Sequence, residues 1–192
     1  MSTQRWVLRV SQLALLWTGA ALATSPLPPP PQVPEAIRAP AGERVVLATH
    51  ATGAQIYLCA SAADGQSQWT LKAPDAELHD GKGALIGHHY AGPAWKLSDG
   101  SEVTGKALAH VNSPDPQSIA WLLLSVVSHA GKGVLTAVTH IQRINTHGGQ
   151  PPPATQCDAT KRNSETRSAY SADYYFYAPE ADEPPPPQGS PY

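Results

Sequence analysis

Arg44-Val-Val-Leu-Ala-Thr49 and Gln55-Ile-Tyr-Leu-Cys59, on either side of Ala51-Thr-Gly53, decide the fold class of this chain. Both runs are short and rich in β-branched and aromatic residues, and the glycine between them predicts a turn, so the stretch reads as two strands of a sheet. The same pattern recurs at Gln68–Leu71, Leu85–Tyr90, Ala94–Leu97, Ile119–Val127, Val134–Ile144 and Ala169–Tyr177. Sharp turn signals separate these runs: Asp64-Gly65, Asp80-Gly-Lys-Gly83, Ser98-Asp-Gly100, Gly131-Lys-Gly133 and Gly148-Gly149. Strands at this density, without intervening long helical patterns, predict a mostly β domain, an antiparallel sandwich or barrel of short strands with little helix. The leucines of Ile119–Val127 would suit a helix, but Trp121, Val126 and Val127 favour a strand. Ala73-Pro74-Asp-Ala-Glu-Leu78 reads as one helical turn, with its proline early and its acids in the first turn.

Outward from this core the chain changes character. Residues 1–23 have the layout of a secretory signal peptide. Arg5 and Arg9 form the basic flank, Leu13–Ala23 the apolar centre, and Ala21-Leu-Ala23 the cleavage signal, with cleavage expected after Ala23. The apolar centre is too short for a permanent span, and no later segment reaches the roughly 20 apolar residues that one needs. Residues 24–40 read as a proline-rich linker that packs poorly, residues 41–178 as the exported β-rich domain, and residues 179–192 as a proline-rich acidic disordered tail. The expected location is secreted or periplasmic.

Composition narrows the function classes. The chain has 13 basic and 15 acidic residues, and removal of the leader takes two arginines and no acid. A weakly acidic chain without a basic stripe is a poor match for phosphate backbones, so no nucleic-acid partner is expected. In an oxidising compartment Cys59 and Cys157 are expected to pair, the alternative being two separate buried thiols. No G-x-S-x-G elbow, P-loop or dinucleotide fingerprint is present: Gly81-Lys-Gly-Ala-Leu-Ile-Gly87 has its last glycine one residue late and leads into a strand. Adjacent His88 and His89 point to opposite faces of a strand, so a metal site would need one of them plus distant partners such as His140, His147, Asp75 or Glu77. Without an HExxH or paired CxxC motif, no metal and no cofactor are expected.

The ordered blocks Gly53–Cys59, Trp69 with Ala73-Pro74, Gly87-His-His-Tyr-Ala-Gly-Pro-Ala-Trp95, Asp99-Gly-Ser101, Trp121–Leu124, Ile141–Thr146 with Gly148-Gly149, Cys157-Asp158 and Tyr170–Tyr177 resemble the domain of unknown function family 3455. The resemblance covers about residues 41–178. It implies a secreted single domain and supports the pairing of Cys59 with Cys157, and it brings no established activity. Within these blocks the polar and amphipathic residues beside turns are the candidate ligand-binding set: His89, Tyr90, Trp95, Asp99, Arg143, Asn145 and Asp173. An ion pair of Arg143 with Asp173 or Glu77 is the competing structural role. Trp69, Trp95 and Trp121, with Tyr170 and Tyr174–Tyr177, would line a cleft or simply pack the core.

The leading expectation is a binding module, monomeric, for a cell-envelope component or a small extracellular ligand. The alternatives are a carbohydrate-active hydrolase using carboxylate or histidine groups, and a structural or interaction protein acting through its proline-rich ends. No catalytic residue can be assigned.

Overall fold

The computed structural model describes residues 28–62 and 65–180. The leader and its cleavage site, Asp64 and the tail beyond Glu180 lie outside the described residues. Eight antiparallel strands run up and down in chain order, and the last pairs with the first to close a barrel. They are β1 (Glu43–Ser61), β2 (Ser67–His79), β3 (Leu85–Tyr90), β4 (Ala94–Leu97), β5 (Glu102–Val111), β6 (Trp121–Ala130), β7 (His140–Gly148) and β8 (Glu165–Pro179). The mostly β class with little helix holds, and of the two expected architectures the barrel is the one formed. Closure removes both free sheet edges, which an open antiparallel sheet of this size would leave exposed.

The two opening runs are not separated by a turn. They form one 19-residue strand, β1, paired with β8 from Glu43 to Leu58 and with β2 from His50 to Ser61. Gly53 serves a bend within this strand. A Cβ at Gly53 would collide with the Asp75 carbonyl oxygen and with Ala76 on β2, so only glycine lets the sheet coil this tightly. The segment Ala73–Leu78 is also strand and not helix. Ala73 lies opposite Ile56 and Pro74 opposite Gln55, and β3 pairs with β2 only from Ala76 to His79. Pro74 therefore faces an unpaired edge on its far side, where its missing N–H costs no ladder bond.

Two further expectations change. Val134–Ile144 splits into a 3-10 turn, Val134–Ala137, and the start of β7. Strand β5 is not among the expected runs, because its β-branched residues Val103, Thr104 and Val111 are interrupted by Gly105-Lys-Ala-Leu-Ala109. Gly105 sits beneath Trp95 at a point where a Cβ would come within 3.1 Å of the indole, and such a small inward residue hides the usual alternation.

Two apolar clusters hold the domain together. Inside the barrel, Leu78, Leu97, Val103, Leu124, Ile141 and Phe176 pack with Leu135 from the 3-10 turn. Asp99 clasps that turn: its carboxylate accepts from Ser101 N (2.8 Å), Ser101 Oγ (2.6 Å) and Val134 N (2.8 Å), and Ser101 Oγ accepts from Leu135 N. The second cluster lies outside the barrel, where Ile37 packs against Leu123 and Ile144. Ile37 is fully buried, and its carbonyl accepts a bond of 2.6 Å from Gln142 Nε2. The stretch expected to pack poorly thus supplies a core residue, because Leu123 and Ile144 present an apolar outer face that needs a cover.

Cys59 and Cys157 form a disulfide. It ties the end of β1 to the long β7–β8 connection, on the same end of the barrel as the β3–β4 turn.

Candidate functional site

His89 on β3 and Trp95 on β4 stand directly opposite each other across their hairpin, and both point inward. Their rings stack with centroids 4.3 Å apart and planes 11° apart. Tyr174 from β8 meets both edge-on, at 5.2 Å and 5.5 Å, a geometry that aromatic quadrupoles favour. His89 is only 2% exposed. Its Nδ1–H donates to the Ala94 carbonyl oxygen at 2.8 Å, which leaves Nε2 as an acceptor on the neutral ring. Burial is the main reason its pKa is lowered to about 3, with the positive charge of Arg143 adding to the effect. The imidazole is therefore uncharged at neutral pH.

This aromatic layer floors a cavity of about 290 Å³ at the end of the barrel that carries the β3–β4 turn. Its walls are mainly apolar: Leu71, Pro74, Pro93, Ala107, Leu122 and Leu124. The polar groups that reach it are Gln55, Lys72, Tyr174 and Arg143 as well as His89. Two of these are not satisfied internally. Gln55 is 2% exposed, yet its Nε2 has no hydrogen-bond partner, and the hydroxyl of Tyr174 likewise lacks a bond of full geometry. Burial also raises the Tyr174 pKa, so the phenol keeps its proton and remains a donor.

Arg143 is half-buried on the inner face of β7. Its Nε (3.2 Å) and Nη2 (2.7 Å) both donate to the Ala120 carbonyl oxygen. Neither expected ion pair forms. Asp173 lies on the outer face of β8, bonded to His50 and Asn145, and Glu77 pairs with His79. Side-chain alternation explains this: Arg143 is directly opposite Tyr174, one residue out of phase with Asp173. Among the described residues Arg143 has no carboxylate partner. Its charge acts on the interior groups Tyr57, His89, Tyr170 and Tyr174, all of which it biases toward their more negative form.

The cavity and all of the barrel but Pro179, the last residue of β8, lie within residues 40–178, which match the family described as "Protein of unknown function (DUF3455)". The chain belongs to the DUF3455 family. No curated protein and no solved structure matches it.

The candidate residues of this DUF3455 domain separate into three places. His89, Trp95 and Arg143 converge on the cavity. Tyr90 points away from it and donates to Glu102 at 2.6 Å; that bond is the main reason its pKa is pushed up to about 12. Asp99 belongs to the clasp at the opposite end, where the Ser101 hydroxyl above all holds its carboxyl below the usual range. Asn145 and Asp173 sit on the outer surface with His50, where Asp173 accepts from His50 Nδ1 and Asn145 Nδ2, each at 2.8 Å. Among the described residues, no group of three His, Cys, Asp or Glu side chains is placed to hold a metal ion, and no helix is long and apolar enough to cross a membrane.

Sequence reasoning missed Gln55 and the apolar walls as site residues, and it held Tyr174 only as one of several aromatics that would line a cleft or pack the core. Gln55 did carry a signal. It lies in phase with Tyr57 and Cys59 on one face of an otherwise apolar strand, and a polar residue at a core position needs a reason.

Proposed function

We propose that this DUF3455 protein is an exported binding module that takes one small, mainly apolar ligand into the open end of its barrel. The observation that carries this reading is the aromatic-floored cavity in a barrel otherwise filled by side chains. An eight-stranded barrel has an interior just wide enough to be packed solid or to hold a single small ligand. Apolar walls with a few convergent polar groups are the usual make-up of such a site. Roughly 150 Å³ of apolar cavity suffices for benzene, so about 290 Å³ suits a single substituted ring or a short chain. The Cys59–Cys157 disulfide supports export, since such bonds persist in oxidising compartments. The 1–23 leader, cleaved after Ala23, is part of the same proposal.

The hydrolase reading has less support. Among the described residues no carboxylate lines the cavity, and its one histidine is neutral and held by a backbone carbonyl. The interaction reading loses part of its ground because the 28–40 stretch covers the protein's own outer face through Ile37.

A heteronuclear NMR titration of the disulfide-bonded chain with phenol, indole and hexanol tests the proposal. Shifts should cluster at Trp95, Gly105, Leu122 and Leu124, and Ala107→Trp should abolish them without lowering the melting temperature. Shifts scattered over the surface, or shifts that survive Ala107→Trp, would overturn it.

A further inference from the structure

We infer that the cavity is built for a small monocarboxylate, whose acid group pairs with Arg143 while its ring or short chain lies against Trp95, Leu122 and Leu124. This rests on the binding reading above and specifies the chemistry of the occupant.

The starting point is a half-buried guanidinium that, among the described residues, has no counter-ion. A charge withdrawn from water is costly unless paired, and the two acids expected to pair with Arg143 are engaged elsewhere. Nε and Nη2 together grip one carbonyl oxygen, that of Ala120. This fixes the plane of the guanidinium and uses two of its five donors. A further donor approaches the Tyr174 hydroxyl, and those that remain can meet the oxygens of a carboxylate.

The neighbouring polar atoms agree in sign. Gln55 Nε2 is a buried donor without a partner, and Tyr174 is a phenol that stays protonated. Lys72 adds positive potential at the mouth, although it is more than half exposed and pairs with Glu165. On the acceptor side the cavity offers His89 Nε2 on its floor and the side-chain carbonyl oxygen of Gln55. A lining of donors and cations with no carboxylate repels a cationic ligand and favours an anion. The apolar walls and limited volume restrict the remainder of that anion to one ring or a short alkyl chain.

Calorimetric titration of the disulfide-bonded chain at pH 7 with matched acids and amides tests this: benzoate against benzamide, phenylacetate against phenylacetamide, hexanoate against hexanamide. At least one acid should bind tenfold or more tightly than its amide. Arg143→Gln should reduce that preference to less than about threefold, and Arg143→Lys should retain part of it because the charge remains without the fork. Lys72→Gln should leave the preference in place. Equal binding of acid and amide by the unmodified protein would overturn the inference while leaving the binding reading intact, and this comparison requires no variant to fold. A preference that survives in a folded Arg143→Gln protein would overturn it too. If neither acids nor amides bind with a Kd below about 1 mM, the binding reading falls together with the inference.

Discussion

The two ends of the barrel are made from the same eight strands with the same inward alternation, yet they are finished differently. At the end that carries the β4–β5 turn and the 3-10 turn, Leu135, Leu97, Ile141 and Phe176 close the interior. Every polar group of the Asp99 clasp described above has a partner. At the other end the interior stops at the His89–Trp95–Tyr174 layer. Above that layer lie a cavity, polar atoms without a bond of full geometry and a cation that has no counter-ion among the described residues. The closed end serves stability. The open end retains groups that a packing-only solution would have replaced with aliphatic side chains, and departures of this kind concentrate where a protein binds or reacts.

The strongest way to break this contrast is at the closed end. Leu135→Ala should lower unfolding free energy by about 2–5 kcal/mol in urea denaturation, because Leu135 is fully buried and a cavity would remain. A loss well under about 1 kcal/mol would mean that the plug is not packed as described.

The next effect, at the floor of the open end, depends on pH. His89 has a folded pKa of about 3, below its unfolded value of about 6.5. Between these values the unfolded chain binds the extra proton. Stability is therefore full above pH 6.5 and falls with acidification, by roughly 1.4 kcal/mol per pH unit. Comparing pH 6.5 with pH 5, His89→Phe should remove roughly 2 kcal/mol of the loss seen in the unmodified protein. Parallel pH profiles for the two proteins would show that the imidazole is not buried neutral.

The smallest effect separates Asp99 from the site. Asp99→Ala should cost about 1–2 kcal/mol by releasing its bonds to Ser101 and Val134. Affinity for any cavity ligand should stay within twofold, measured by the same calorimetry. A large loss of binding with stability unchanged would return Asp99 to the candidate site.

These residues also show how far the sequence can be read. His89 and Trp95 were reachable because they flank one short hairpin, so local pairing brings them together. Arg143 was reachable as a polar residue in a strand, but its surroundings were not: its expected partner Asp173 is nearby in register and on the wrong face. Gln55 and Tyr174 come from β1 and β8, more than a hundred residues apart, and meet only because the barrel closes. Asp99 looked like a site residue because a turn that presents a ligand and a turn that clasps a neighbour use the same Asp-Gly-Ser chemistry. Likewise, the glycine of Ala51-Thr-Gly53 cannot by itself distinguish a hairpin turn from a tight bend in a continuous strand.

By itself the sequence determined the β class, because strand-length runs and turn residues are local properties. It also placed His88 and His89 on opposite faces of one strand, because side chains alternate with a period of two; that alternation fails at Asn145, where β7 bulges between Ile144 and His147. The pairing of Cys59 with Cys157 followed from the leader-based expectation of an oxidising compartment. Only the tertiary structure decided between sandwich and barrel, turned the 28–40 stretch into a cover for Leu123 and Ile144, and left Arg143 without a carboxylate partner among the described residues, over an aromatic floor. Those outcomes depend on which strands become neighbours and how sharply the sheet coils, and both are set by contacts between residues far apart in the chain.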